Sequence, residues 1–292
     1  AYVDYHHYKK YAVILLVGSM VLLITVFLPG IGFASGGAHR WIAIGSFLLQ
    51  PSEIVKLTFL FYLAVWLEKR QTRLKDLSYG LMPFVVLLAA IAVLVLMQPD
   101  LGTLSIIVMV SVIVYFVAGA PLSFLALVIK VEPYRLERLT TFLHLNEDPL
   151  GAGYHITQSL IAIGSGGLFG RGLGHSLQKF NILPEVTGDS IFAVMAEELG
   201  FILVVGIIAL FVIFLWRGMQ IARNAPDTFG KLVAVGIAAG IMVQALVNIG
   251  ALTAILPLTG ITLPFISSGG SSLVITLASV GVLINISRQG RN

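Results

Sequence analysis

Cysteine is absent from this chain of 292 residues, so neither a disulfide framework nor a thiolate metal site can form. Charge is scarce too: Asp, Glu, Lys and Arg make up 11% of the residues, against roughly a quarter in a soluble domain. Hydrophobic residues reach 58% and the mean hydropathy is +0.97. A water-soluble domain is thereby excluded. The expected fold class is all-α, a polytopic membrane helix bundle forming one domain over residues 1–292. The net charge of +4 gives no argument for nucleic acid, because the basic residues sit in short loops where membrane topology accounts for them. No cleavable signal peptide is expected, since Ala1-Tyr2-Val3-Asp4 leads quickly into a full-length apolar stretch.

What the chain has in abundance is apolar runs, and about 20 such residues cross a bilayer. Spans are expected at Tyr11 to Phe33, Ile54 to Leu67, Tyr79 to Met97, Leu101 to Val117, Ile191 to Trp216, Leu232 to Leu256 and Leu273 to Ile286. Basic residues mark cytoplasmic loops: Lys9 and Lys10, then Lys69, Arg70, Arg73 and Lys75, then Arg217, Arg223 and Lys231, then Arg288 and Arg291. Alternation puts the Gly36–Gln50 loop, the Gln98-Pro99-Asp100 turn and the Leu256–Phe265 turn outside. It also demands one more crossing between Val117 and Ile191. The apolar candidate, Pro121 to Val131, is short and carries Lys130. Either a half-crossing lies there or, as we favour, residues are missing from the chain at that point.

One long polar segment interrupts this pattern, Glu132 to Asp189. Loops beyond about 15 residues are usually functional or disordered. Tyr134, Phe142, Tyr154, Ile161, Ile163, Phe169 and Phe180 are poor residues to leave solvated, which argues for order. We therefore expect a large ordered extracytoplasmic loop over residues 132–190, with the chemistry in it. Its Gly164–Gly174 run lacks the Gly-Lys-Ser/Thr of a P-loop, so close packing is the expected use. His39, His144, His155 and His175 are scattered without ligand spacing, and no dedicated metal site is expected.

Several strings taken together resemble the SEDS family (shape, elongation, division and sporulation), the FtsW and RodA peptidoglycan glycosyltransferases. They are Gly37-Ala38-His39-Arg40-Trp41-Ile42, Gln50-Pro51-Ser52-Glu53-Ile54-Val55-Lys56, Gln98-Pro99-Asp100-Leu101-Gly102-Thr103 and Gly153-Tyr154-His155-Ile156-Thr157-Gln158-Ser159. Further on come Gly164-Ser165-Gly166-Gly167-Leu168, Leu183-Pro184-Glu185, Asp189-Ser190-Ile191-Phe192-Ala193 and Pro264 to Ser272. Their order covers nearly the whole chain. Thr187 to Phe192 followed by Ala196-Glu197-Glu198-Leu199-Gly200 looks more like the division branch, FtsW, although many members carry His-Thr-Asp-Phe where this chain has Thr187-Gly188-Asp189-Ser190. Family members have ten membrane helices. About eight or nine are expected here, the chain starting where the family's second would.

The resemblance implies polymerisation of lipid II at the outer face of the bacterial cytoplasmic membrane, in division or elongation. A sugar 4-hydroxyl attacks the anomeric carbon of a lipid-linked donor, and undecaprenyl diphosphate departs with inversion. Such chemistry needs a base for the hydroxyl and positive charge for the leaving group. Asp189 is the candidate base by its match to the family's catalytic position; the alternative is a helix N-cap. Arg40 and Trp41 suit diphosphate and prenyl chain or sugar, or else anchor at the membrane interface. Lys56, a turn inside an apolar helix, either contacts diphosphate or pairs with Glu53 three residues earlier. Glu197 comes round to the face of Asp189 and is expected to line the same cavity. Gln158 and Ser159 join the substrate-binding set by motif. Asp100 reads as a cap for the next helix, and Arg135 and Arg138 as partners of Glu132 and Glu137. Ser267–Ser272 reads as a broken or re-entrant segment lining a cavity.

No cofactor is expected to be required; a divalent cation accompanying the diphosphate substrate is compatible with these residues. The partner implied is a class B penicillin-binding protein, with other division or elongation proteins and the membrane lipids around it. Two other functions remain open, a lipid II flippase or transporter and a non-catalytic division scaffold. A transporter favours repeated halves, and no internal repeat is visible.

Overall fold

The computed structural model describes residues 3–28, 31–35, 38–45, 47–121, 152–180 and 183–290. Eight α-helices are found among them, in agreement with the expected helical class: α1 Tyr5–Thr25, α2 Pro51–Lys69, α3 Met82–Leu96, α4 Leu101–Val117, α5 Ala152–Ser165, α6 Ile191–Arg223, α7 Thr228–Leu252 and α8 Gly270–Gln289. Five helical stretches are long and apolar enough to cross a membrane: α1, α3 together with the π-helical turn before it, α6, α7 and α8. The chain is a multi-pass membrane protein. The short apolar region after Pro121 lies outside the described residues, as do Arg135, Arg138, Glu132, Glu137 and His144.

The chain divides into two compact units, one formed by Ala1–Ile129, Leu215–Ile241 and Gly270–Asn292, the other by Lys130–Phe214 and Met242–Gly269. In the first unit, α1 starts where the Asp4 carboxylate accepts the backbone N–H of His6 at 2.9 Å, an N-cap. Its opening turn is tied to two other helices. The backbone N–H of Tyr5 donates to Asn285 Oδ1 of α8 at 3.0 Å. The Tyr5 hydroxyl donates to Asp227 at 3.1 Å, beside the start of α7. Small residues let helices approach: a Cβ on Gly218 would collide with Ala238, and one on Gly236 with Leu60. That is the usual packing of membrane helices, where lipid offers no hydrophobic drive for association.

Two expectations need correcting. The first span ends at Thr25 rather than Phe33, since Pro29-Gly30 follows in sequence and Gly32–Ser35 is a strand. That strand pairs antiparallel with β2 (Ala38–Ile44), which pairs with β3 (Phe47–Leu49), so the loop before α2 is a three-stranded sheet. Likewise the polar segment 132–190 is not all loop, for α5 lies within it.

Asp100 caps α4 as expected. Its Oδ1 accepts the N–H of Thr103 at 3.1 Å, and its Oδ2 accepts from Ser52 at 3.1 Å and Gln50 at 3.2 Å. The capping carboxylate therefore also joins the start of α2 to that of α4.

Candidate active site

The second unit is organised around an interruption in α6. Gly200 has φ 78°, outside helical space, which breaks the hydrogen-bond ladder of an apolar helix. Backbone groups freed in a membrane helix must find partners, and the glycine-rich run supplies them. The N–H groups of Arg171 and Gly172 donate to the carbonyls of Glu197 and Glu198 at 2.9 and 3.0 Å. In return, the N–H groups of Phe201 and Ile202 donate to the carbonyls of Gly167 and Leu168 at 2.9 and 3.3 Å. This backbone-to-backbone approach leaves no room for side chains: a Cβ on Gly166 would strike the carbonyl of Ala196, and one on Gly170 that of Glu198. The glycines thus serve close packing, as their sequence suggested.

Glu197 sits at the same junction. Only 1% exposed, it accepts from the Ser176 hydroxyl at 2.6 Å and the N–H groups of Leu177 and Gln178 at 3.1 and 3.3 Å, with Arg171 at 3.6 Å. Both carboxylate oxygens are occupied by residues 171–178, so Glu197 holds that loop instead of lining a cavity with Asp189. Glu198 takes Lys179 at 2.8 Å. Helical periodicity placed Glu197 on the face of Asp189, but the loop folding back over α6 claims it.

Asp189 lies in the turn that enters α6. The turn is fastened by Leu183, buried with Ala162, Ala193 and Val194, with Ile163 and Val186 packed against them. The N–H groups of Gly188 and Ser190 close onto the carbonyl of Glu185 at 2.9 and 3.4 Å. Ser190 begins the helix, its carbonyl accepting from Ala193 and Val194 at 3.0 and 3.4 Å. The Asp189 carboxylate is not the N-cap. Among the described residues its side-chain partner is the Ser190 hydroxyl, 3.4 Å from Oδ1. The Asp189 carbonyl is held by Asn248 Nδ2 of α7 at 2.8 Å, and the same amide donates to the carbonyl of Ile261 at 2.6 Å. The turn after α7 returns to the site, for a Cβ on Gly260 would lie 3.7 Å from Asp189 Oδ2.

Electrostatics make this carboxylate basic. Burial pushes its pKa above the ordinary aspartate range; His155 opposes that shift and Glu185 adds to it. A half-buried carboxylate with few donors and a raised pKa suits proton abstraction.

His155 stands in the Gly153–Ser159 string, 34 residues from Asp189, but the sequence assigned it no role at the site. On α5 it is 7% exposed and its Nε2 lies 2.6 Å from Ser190 Oγ. Ser159, one turn on, is buried and spends its hydroxyl on the His155 carbonyl at 2.8 Å. Its role is within the helix. Gln158 is half-buried on the same helix. Arg40, Trp41 and Lys56 belong to the first unit. There Arg40 donates from Nε to the Gln98 carbonyl at 3.0 Å and from Nη2 to that of Pro99. Trp41 is half-buried opposite Phe33 in the sheet. Lys56 and Glu53 form an ion pair at 2.8 Å, as their i,i+3 spacing suggested. No group of three metal-ligating side chains occurs among the described residues. The segment before Gly270 is non-helical, and the N–H of Ser268 donates to the Thr187 carbonyl at 2.8 Å in the Asp189 turn.

Membrane-spanning helices, one of them interrupted at Gly200 and entered through a turn that holds a half-buried carboxylate, define an integral membrane protein. The whole chain, residues 1–292, matches the FtsW, RodA and SpoVE family model, described as cell cycle protein, and the chain belongs to that family. It is 44% identical to stage V sporulation protein E of Bacillus subtilis (strain 168), over 99% of this chain and 82% of that protein. It is 42% identical to a protein of Geobacter sp. (strain M18) named probable peptidoglycan glycosyltransferase FtsW, again over 99% and 82%. Among solved structures it resembles a chain of a peptidoglycan synthase complex that coordinates polymerization and crosslinking, with TM-score 0.81 and 28% identity over 99% of this chain and 84% of that one. It also resembles the rod shape determining protein RodA of Thermus thermophilus, with TM-score 0.73 and 30% identity over 100% and 82%.

Proposed function

We propose that this chain is a peptidoglycan glycosyltransferase that polymerises lipid II, with Asp189 as general base. The observation that carries the assignment is the Asp189 carboxylate: half-buried, outside the capping network, and made more basic by its surroundings, in a chain 42% identical to a named peptidoglycan glycosyltransferase. The acceptor's 4-hydroxyl gives its proton to Asp189 as its oxygen bonds to the anomeric carbon of the donor. The bond from that carbon to the diphosphate breaks, and polyprenyl diphosphate leaves with inversion. Asn248 keeps the Asp189 backbone in place during this step. We assign Arg40, Trp41, Lys56 and Gln158 to substrate binding; a divalent cation, where used, enters with the substrate's diphosphate. We place the reaction at the outer face of the bacterial inner membrane, with a class B penicillin-binding protein as the partner that cross-links the strands.

The test is glycan polymerisation from purified lipid II by the chain with its cognate transpeptidase, comparing wild type with Asp189→Asn. Elongation by wild type alone, with both proteins folded, is expected. Equal elongation by both removes Asp189 from the mechanism. No elongation by either, despite a formed complex, favours the flippase or the scaffold. Alanine at Arg40, Trp41, Lys56 or Gln158 is expected to raise KM for lipid II.

A further inference from the structure

Asp189 is gripped from two helices, and the second grip has no role in the chemistry described so far. Asn248 of α7 holds the Asp189 carbonyl, while His155 of α5 reaches the hydroxyl of the next residue, Ser190. Ser190 is fully buried and makes three polar approaches: His155 Nε2 at 2.6 Å, the Pro184 carbonyl at 2.7 Å and Asp189 Oδ1 at 3.4 Å. A hydroxyl has a single proton to give. The Pro184 carbonyl only accepts, so the short contact to it takes that proton. His155 must then present Nε2–H to Ser190 Oγ, which assigns its tautomer from the network. With the Ser190 proton committed elsewhere, Asp189 Oδ1 faces the hydroxyl oxygen without a donated hydrogen bond. The carboxylate is left with its own backbone N–H and burial keeps it basic, while its backbone is fixed on both sides.

We propose that His155 is a positioning residue for Asp189: by fixing the Ser190 hydroxyl on Pro184 it sets both the orientation and the basicity of the base. Among the described residues, the titratable groups acting on Asp189 are His155 and Glu185. Burial holds the His155 imidazole below its ordinary value, against the attraction of Asp189 and Glu185. Burial thus favours the neutral imidazole, which acts through Nε2–H as a hydrogen-bond donor. The reach of α5 explains the placement: His155, Ser159 and Ala162 share one face at helical spacing, and Ala162 is packed with Leu183, Ala193 and Val194 at the base of the turn.

The inference rests on Asp189 being the base, so the test carries a readout independent of polymerisation. Full-length wild type, His155→Phe, His155→Gln and Ser190→Ala are purified with the transpeptidase partner. Each is assayed for kcat and KM on lipid II. Each is also titrated with a hydrophobic carbodiimide, which modifies protonated carboxyls, and Asp189 labelling against pH is followed by mass spectrometry. His155→Phe is expected to lower kcat about 10- to 100-fold, the scale of a misplaced catalytic group, with KM little changed. It should also move the Asp189 labelling midpoint to lower pH, because the freed Ser190 hydroxyl can turn and donate to Oδ1. His155→Gln keeps an N–H near the position of Nε2 and should recover most of the rate and the wild-type midpoint; Ser190→Ala, which has no hydroxyl to turn toward Asp189, should leave the midpoint near the wild-type value. Rates equally low in the Phe and Gln variants with an unmoved midpoint indicate a structural role and overturn the proposal, as do a rate and midpoint unchanged in His155→Phe. Wild type that labels at Asp189 but makes no glycan refutes the glycosyltransferase assignment, while the midpoints still decide what His155 does.

Discussion

Replacing Glu197 by alanine should release the loop of residues 171–178 while leaving the membrane helices folded. The carboxylate is 1% exposed and accepts one hydroxyl and two backbone N–H groups, with Arg171 alongside. Removing it strands three donors in a site with little water, and each unsatisfied group costs about 1–3 kcal/mol. Opening of the loop relieves that cost by letting the donors reach solvent, so the loss falls on local opening and not on global unfolding. Counting partial relief, about 2–4 kcal/mol leaves the closed form, equivalent to roughly 30- to 700-fold faster exchange of the protected amides. The amides to follow are Leu177 and Gln178, which donate to Glu197, with Arg171 and Gly172, which donate to the α6 backbone, as a second group. Hydrogen–deuterium exchange in detergent measures all four, and trypsin supplies an independent signal, since Arg171 and Lys179 are both cleavage sites. Glu197→Gln should fall between, because its amide can still accept through oxygen but turns a donor toward the donors of the loop. Exchange at Leu177 and Gln178 within threefold of wild type in Glu197→Ala would refute the anchoring role.

Other expectations follow from the same geometry. Gly170→Ala meets both a φ of 78° and the Glu198 carbonyl, whereas Gly167→Ala has φ 55° and open space; the latter should cost about 1–2 kcal/mol, the left-handed penalty alone, and thermal melts should show Gly170→Ala markedly less stable. Asp189→Asn should melt above wild type at neutral pH. Because the folded pKa of Asp189 is raised, its contribution to stability is present at low pH and lost as pH rises through that value, so the advantage of Asn should fade on acidification. Glu185→Gln removes a charge that raises the Asp189 pKa; the acid limb of the rate profile should move to lower pH, and the shift should shrink as salt screens it.

Much of the fold was legible because lipid imposes simple rules. Leu101–Val117 appears with the bounds its apolar run suggested, and α8 extends the expected Leu273–Ile286 by about a turn at each end. Asp100 was readable as a cap because a carboxylate after Pro99 at a helix start has few other uses. The sheet of Gly32 to Leu49 was not, since its strands are short and their pairing is a property of neighbours. Nor was α5, whose apolar face is set among polar residues in a segment that loop statistics would call irregular.

The candidate site divides along the same line. The string around Asp189 marked the candidate base by resemblance, and the Glu53–Lys56 pair followed from three-residue spacing on one helix. Glu197 is held by residues 171–178 and His155 reaches the Asp189 turn, neither of which was expected, because neither spacing nor composition records which loop folds over α6 or which helix meets its first turn. By itself the sequence determined the solvent of this protein and most of its helices, since these depend on local residue type and periodicity, and by resemblance it marked Asp189 as the candidate base. Only tertiary structure decided which buried donors reach which carboxylates. The Gly200 break in α6 and the turn closed by Leu183 bring residues 20 to 35 positions apart within hydrogen-bond range, and those contacts engage the Glu197 carboxylate while leaving that of Asp189 with few donors.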